Sequence, residues 1–539
     1  MTVVEKLDET NYDYVVVGGG TAGCVIASRL AEKLPYAEIL LIEGGANDFK
    51  NETILNLKCL LDLWGAEDYD YGYSSVPQPF GNSNIIHSRA KMLGGCSSHN
   101  GGISFVPFDM DMKKWQKMGA DGWTHAEMVR LFKKLRNNII PIAEDQRSQI
   151  TKDWIESCSK LFNVPKVEDF NKQIIRDGRL TPGTGYVSCT YTPDNNHRSS
   201  ASVAYIHPIL RGDEFRPNLT ILHKTWTSKI HVKDQTAVGV RATTDAGTTY
   251  DIYARKEVIL CAGAVDTPRL MMLSGLGNRQ QLEKLGIEVH QDLPGVGENL
   301  QDHVESMYMW EIKDEVPQDK IVMGSEACMV LRREPENAQG DDGDAIDTMF
   351  HMFTVPFDFY TKTMGYETPK NAFCCIPYNP RPASVGRLYL TSANPKVKPA
   401  LDQRYFSDEK GYDKASNLWM LKQARKMAQS EPFRKHLLRE IAPGPMITTD
   451  DQLCEYGRQV SNTVYHPCGT AKMGDTQRDA MAVVDASLHV KGIKNLRVAD
   501  ASVFPCMVSI NPMITVLCIG ERAAELIIAD SKTAPRPSL

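Results

Sequence analysis

No run of 18 apolar residues occurs anywhere in the 539-residue chain, so no segment reads as a membrane-spanning helix. The opening Met-Thr-Val-Val-Glu-Lys-Leu-Asp-Glu-Thr has neither the basic nor the apolar region of a secretory signal, and an intracellular, cytoplasmic protein is expected. The terminal Arg-Pro-Ser-Leu is only a poor relative of the Ser-Lys-Leu peroxisomal address. A basic stripe is missing too. Its 61 Lys and Arg alternate with 67 Asp and Glu for a net charge of −6, which argues against a nucleic-acid partner and against steering of a cation by overall charge. The 13 cysteines are odd in number and contain no Cys-x-x-Cys pair, so neither a disulfide framework nor a metal site is expected. Repeats and low-complexity tracts are also lacking.

What is present is an ordinary globular balance, 42% hydrophobic and 24% charged, on a chain too long for one core. Two or more domains are expected. The strongest local signal is Tyr12-Asp-Tyr-Val-Val-Val-Gly-Gly-Gly-Thr-Ala-Gly. Tyr14 to Val17 suits a buried parallel strand, Gly18, Gly20 and Gly23 form Gly-x-Gly-x-x-Gly, and the following residues carry helical periodicity. A second strand ends at Glu43, 20 residues after Gly23, where a ribose hydroxyl needs an acceptor. The unit predicts a dinucleotide with its pyrophosphate at a helix N-terminus, and leaves NAD or FAD open.

Beyond Asn47, loops rich in Gly, Ser and Pro dominate to about residue 120. Residues 123–165 read as mainly helical, 218–232 as strand-like, and Glu257 onward as a buried strand running into a turn. The stretch 332–344 reads as a solvated loop and 413–430 as an amphipathic helix. Within the loops, Gly94-Gly-Cys-Ser-Ser-His-Asn-Gly-Gly holds one large side chain, His99, among residues suited to tight turns. Taken alone, His99 reads as a loop histidine that only hydrogen-bonds.

Four blocks lead further: the N-terminal βαβ unit, the segment from Arg89 through the His99 loop to Phe105, Cys261-Ala-Gly-Ala-Val-Asp-Thr-Pro, and the C-terminal His466-Pro-Cys-Gly-Thr-Ala-Lys-Met-Gly with Val498-Ala-Asp-Ala and Asn511-Pro-Met-Ile-Thr-Val. Together the chain resembles the glucose-methanol-choline family of flavin oxidoreductases, and within it the choline oxidase branch. The resemblance implies an α/β fold in which a Rossmann-type FAD-binding domain (1–160, 200–302 and 455–539) is interleaved with an α+β substrate domain (161–199 and 303–454), an antiparallel sheet flanked by helices. It implies FAD held by Gly18, Gly20, Thr21, Ala22, Gly23, Glu43, Gly94, Gly95, Asn100, Gly101, Gly102, Thr227, Asp500, Ala501 and Pro512, with His99 bonded covalently to the flavin C8 methyl.

On the same footing, His466, Asn511 and His351 are the catalytic residues of an alcohol oxidation, because an alkoxide donates hydride far more readily than an alcohol and histidine suits the proton transfer. Glu305 faces a cationic head group, with Tyr465 and Phe357 supplying aromatic faces. The resemblance implies an enzyme oxidising choline through betaine aldehyde to glycine betaine, with dioxygen as acceptor; a family member acting on another primary alcohol, with another acceptor, is the alternative. A homodimer is left open. This sequence departs from the branch at Gly101, where a serine is expected, and at Leu61 and the region of Met323 and Gly324, where tryptophans are expected. Trp64, Tyr69 and Trp310 are the candidates to compensate.

Overall fold

The computed structural model describes residues 2–83, 85–333 and 346–533. The Gly-rich unit folds as its pattern predicts: strand Asn11–Val17, helix Thr21–Lys33 and strand Ile39–Ile42. Both strands lie inside an eight-stranded sheet, ordered Thr2–Val4, Leu219–Leu222, Ile39–Ile42, Asn11–Val17, Thr249–Leu260, Thr236–Thr244 and Thr225–Lys233, with Leu496–Val498 also paired to Thr249–Leu260. The strands from Thr2 to Val17 and the Leu496 strand pair in parallel, while Thr225–Leu260 forms an antiparallel meander. Val15, Val16 and residues 39–41 are fully buried, as unbroken apolar strands covered on both faces must be. The C-terminal helix Met513–Thr533 packs along helix Thr21–Lys33.

A second, nine-stranded sheet runs Leu437–Ala442, Tyr308–Ile312, Ala372–Tyr378, Thr348–Phe353, Ala327–Leu331, Gly183–Tyr186 and Lys166–Val167, with Val304–Glu305 and Asn462–Thr463 attached beside Ala372–Tyr378. It is antiparallel except at its Lys166 edge, and helices Gln149–Phe162 and Tyr412–Ala428 pack against it. The chain is therefore an α/β protein in which a mixed, mainly parallel sheet alternates along the sequence with a second, mainly antiparallel sheet.

Several local expectations change. The strand-like stretch 218–232 is two strands, because Lys224 takes a left-handed φ of +52° and redirects the chain between them. The α-helices within 123–165 are His125–Phe132 and Gln149–Phe162, with a single 3-10 turn at Glu144–Gln146; Ile139–Pro141 between them is a strand on Ser188–Thr192. The buried strand ending at Leu260 runs into a helix, Gly263–Leu273, not a turn. Pro268 cannot donate to the carbonyl of Ala264, and the Thr470 hydroxyl supplies that bond at 2.7 Å, so the helix survives its proline. Residues 334–344 of the expected solvated loop, and the terminal tetrapeptide, lie outside the described residues. Arg333 at the start of that loop is buried against Asp347. All thirteen cysteines are free thiols. No helix among the described residues is long and apolar enough to cross a membrane.

Candidate active site

The first strand ends where two glycine loops touch. A Cβ at Gly23 would sit 1.9 Å from the carbonyl oxygen of Gly18, so only glycine lets this helix close on its strand. A Cβ at Gly95 would lie 2.6 Å from the Cα of Gly20, and the Gly94 N–H donates to Gly19 O at 2.7 Å. Bare backbone therefore floors a cavity of about 2050 Å³ of empty space, its open mouth included. A cavity floored by two touching glycine loops at a helix N-terminus suits a dinucleotide, whose pyrophosphate needs that close backbone approach.

Gly18, Gly20, Thr21, Ala22, Glu43, Gly95, His99, Asn100, Gly101, Gly102, Thr227, Asp500, Ala501 and Pro512 all line this cavity; Gly23 and Gly94 stand behind it and set its backbone. Glu43 accepts the N–H groups of Gly19 at 2.9 Å and Gly45 at 2.7 Å, while burial pushes its carboxyl up to about 7. Its oxygens keep further lone pairs for a hydroxyl. The Thr227 hydroxyl is buried on the cavity wall without a protein partner, as an atom awaiting a bound group would be. Asp500 accepts from Gly263 N–H at 2.8 Å and caps the helix that opens there.

His99 projects into the same cavity. Burial holds its imidazole down to about 3 against the attraction of Asp70, so the ring is neutral and a nitrogen lone pair is available at neutral pH. Its Nε2 lies 3.3 Å from Ser88 Oγ and 3.9 Å from Asp70 Oδ2. Burial raises the Asp70 carboxyl, but the Ser88 hydroxyl and the N–H groups of Gly65, Gly72 and Arg89 outweigh it and hold Asp70 below its ordinary range. Neither Ser88 nor Asp70 was identifiable in the sequence, since they lie 11 and 29 residues upstream in irregular chain.

Across the cavity stand His466, Asn511 and His351. Tyr465, with a left-handed φ of +64°, turns the chain so that His466 faces inward. The turn is pinned by Arg89, which donates to Tyr465 O at 2.7 Å, and by Asp302, which accepts the His466 N–H at 3.0 Å. His303, unassigned from sequence, lies behind: its Nε2 is 2.9 Å from the carbonyl of Pro380 and its Nδ1 is 2.9 Å from His466 Nδ1. A carbonyl only accepts, so His303 Nε2 carries the proton, and its bare Nδ1 obliges His466 Nδ1 to donate. The lone pair of neutral His466 is left on Nε2, 3.4 Å from Asn511 Nδ2. Burial, reinforced by His303, Arg89 and His351, keeps His466 well below the usual histidine range. Burial alone depresses His351 to about 4, and neither of its ring nitrogens has a protein partner. The one signal that could have found His303 is its spacing of two from Glu305, which puts both on one face of an extended segment.

Glu305 is buried, with Oε1 accepting from Asn462 Nδ2 at 2.8 Å. Burial, together with the nearby Asp302, raises its carboxyl to about 8 against that hydrogen bond. Tyr465 and Phe357 line the same chamber, and Trp64 joins them, its ring centroid 4.4 Å from Tyr465 and 6.0 Å from Phe357. Of the three aromatic candidates only Trp64 reaches the cavity. Trp310 stacks on Tyr308 within the core of the second sheet, and Tyr69 packs in a small separate cluster. Met323 Sδ lies 2.9 Å from where a Cβ on Gly101 would begin, so its thioether takes the space a serine at 101 would need.

A dinucleotide cradle thus faces a histidine with a bare nitrogen, beside a buried carboxyl group among aromatic rings. Residues 12–305 and 382–520 match the GMC oxidoreductase family. The chain belongs to that family. The GMC oxidoreductase is 37% identical to choline oxidase of Arthrobacter globiformis, over 97% of this chain and 95% of that protein. It is 31% identical to an alcohol dehydrogenase (acceptor) of Pseudomonas putida, over 96% of each chain. Its fold matches the crystal structure of pyridoxine 4-oxidase from Mesorbium loti with a TM-score of 0.85 and 24% identity, covering 98% of this chain and all of the other. It is accordingly an oxidoreductase with the α/β architecture of the GMC fold.

Proposed function

We propose that this GMC oxidoreductase is an FAD-dependent oxidase of choline, carrying it through betaine aldehyde to glycine betaine and passing electrons to dioxygen as hydrogen peroxide. The observation that carries the substrate is Glu305: a buried carboxyl group, which a bound cation would ionise, beside Trp64, Tyr465 and Phe357 in the chamber that His466 faces. A quaternary ammonium offers no hydrogen bond, so only opposite charge and aromatic faces can recognise it. The 37% identity to a choline oxidase supports the same reading.

Segments 1–160, 200–302 and 455–539 would hold the flavin, and 161–199 with 303–454 the alcohol, with strand Asn462–Thr463 reaching across to the second sheet. The cradle of Gly18, Gly20 and Gly95, the Glu43 carboxylate and the orphaned Thr227 hydroxyl fit FAD, which when bound accepts the hydride from the alcohol carbon. The protein's own part is proton and charge management. His466 Nε2 takes the hydroxyl proton, while Asn511 Nδ2 and a ring nitrogen of His351 hold the oxygen on which negative charge grows. Glu305 fixes the far end of the substrate, so the hydroxyl meets His466 in one orientation.

Peroxide-coupled and dye-coupled turnover of choline, betaine aldehyde, glucose, benzyl alcohol and methanol tests the function. Choline and betaine aldehyde are expected to lead in the peroxide assay. A preference for a neutral alcohol, or turnover with the dye alone, favours a GMC enzyme of another primary alcohol and a non-oxygen acceptor, the reading that Gly101, Met323 and the Pseudomonas putida relative would then support.

The flavin is proposed to be bonded to His99, whose neutral, cavity-facing ring has the lone pair such a bond needs. In the unaltered protein the yellow colour should precipitate with acid; in His99→Ala it should stay in the supernatant while the protein remains folded. Colour freely released from the unaltered protein would end the covalent assignment.

A further inference from the structure

One buried side chain touches every group to which the proposed alcohol chemistry assigns a proton or an oxygen contact, and the role assigned to it rests on that chemistry. Tyr378, the last residue of strand Ala372–Tyr378, is fully buried. Its register sets it opposite Glu305 on one neighbouring strand and Met349 on the other. The ring lies parallel to His351, with centroids 5.6 Å apart and planes 12° from parallel, and 5.2 Å from His303. His466 stands edge-on at 6.5 Å. The hydroxyl reaches Asn511 Oδ1 at 3.4 Å.

The direction of hydrogen bonding runs unbroken to that hydroxyl. Pro380 can only accept, which makes His303 the donor there, His466 Nδ1 the donor to His303, and His466 Nε2 the bare nitrogen. An amide facing a bare nitrogen must present N–H, so Asn511 turns Nδ2 toward His466 and Oδ1 toward Tyr378. The Tyr378 O–H then donates to Asn511. Met349 Sδ lies 2.8 Å from the same oxygen, but a thioether is the weaker acceptor. Without the hydroxyl, only the long 3.4 Å contact with His466 Nε2 opposes a half-turn of the amide that would set oxygen against the His466 lone pair. His351, lacking a partner at either ring nitrogen, has its plane set by the face of the tyrosine.

We propose that Tyr378 is a positioning residue: its hydroxyl holds the Asn511 amide with N–H toward the reacting oxygen, and its ring holds the plane of His351. Tyr378→Phe keeps the ring and removes only the hydroxyl; Tyr378→Leu removes both.

The test uses the flavin-loaded enzyme and the best alcohol of the unaltered protein. Tyr378→Phe is expected to lower kcat about ten-fold, the worth of one good hydrogen bond, with KM within about two-fold. Because the tyrosine acts through Asn511, Tyr378→Phe combined with Asn511→Ala should be no slower than Asn511→Ala alone. Nitrogen-15 NMR of the histidines should give His466 protonated on Nδ1 and bare on Nε2 in both proteins, because Pro380 and His303 set that tautomer, while the Nε2 resonance should move in Tyr378→Phe as the Asn511 N–H facing it is lost. Tyr378→Leu should lose more than Tyr378→Phe; should it fail to fold, the phenylalanine variant decides alone. Unchanged kcat and an unmoved His466 Nε2 resonance in Tyr378→Phe, or losses that add in the double variant, would overturn the proposal. If the unaltered enzyme oxidises no alcohol, the proposed function falls, and the His466 Nε2 resonance alone decides whether Tyr378 orients the Asn511 amide.

Discussion

His466→Ala is expected to lower kcat by about 10²–10⁴-fold, the usual worth of a positioned general base, while KM for the alcohol stays within a few-fold. Three features of the structure lead there. The ring is buried and neutral, the state in which a base must begin. His303 and Pro380 fix its tautomer so that the bare nitrogen is Nε2, beside Asn511 and open to the cavity. Finally, Arg89 and Asp302 pin the turn at Tyr465 that aims the ring into the cavity. The lost interaction belongs to the transition state, so the deficit should appear in kcat and kcat/KM together. Rapid-mixing measurement of flavin bleaching by the alcohol reads the same step without the acceptor. A variant that weakens KM alone would remove His466 from the chemistry and leave it a binding residue.

Glu305→Gln is expected to cost choline about 2 kcal/mol, about 30-fold in kcat/KM, and its neutral isostere 3,3-dimethylbutanol almost nothing. The glutamine keeps the shape and removes the charge. The pH dependence of the same ratio is a stricter measure. Burial raises the free carboxyl to about 8, so below pH 8 the resting site holds a proton that a bound cation must displace. The complex then carries fewer protons than the free site, and preference for choline should rise with pH up to about 8 and level off above it. The isostere has no charge to offer and should lack that rise, and Glu305→Gln should abolish it for choline. If the two alcohols fall together in the variant, Glu305 supports structure rather than recognition, and the choline reading loses its main support.

The two results concern opposite ends of one cavity, and they were legible to different degrees. The dinucleotide cradle could be read directly because its information is local. Gly18, Gly20, Gly23 and Glu43 lie within 26 residues, and strand, helix and strand each show their own periodicity. His99 could be marked as odd, a bulky ring among glycines and serines, but its neighbours Ser88 and Asp70 could not, because the chain between them follows no regular period. Glu305 was legible as a residue and not as an environment: its raised carboxyl comes from burial, which no neighbour in sequence announces. The choice among Trp64, Tyr69 and Trp310 likewise waited for the fold, which spends Trp310 on Tyr308 and turns Trp64 to Tyr465.

By itself, then, the sequence determined that the chain binds a dinucleotide on a Gly-rich βαβ unit and carries the blocks of a GMC oxidoreductase, since those signals are written in short windows of spacing and periodicity. Only the tertiary structure decided which nitrogen of His466 is bare, where the Asn511 amide points, and that Tyr378 and His303 stand behind both. These are consequences of hydrogen bonds between residues 45 to 163 positions apart, His303 with His466, Asn511 with His466, Tyr378 with Asn511, all enforced by burial. A donor's direction depends on what the next group can accept, and that partner exists only once the two sheets have brought distant strands and turns to one cavity.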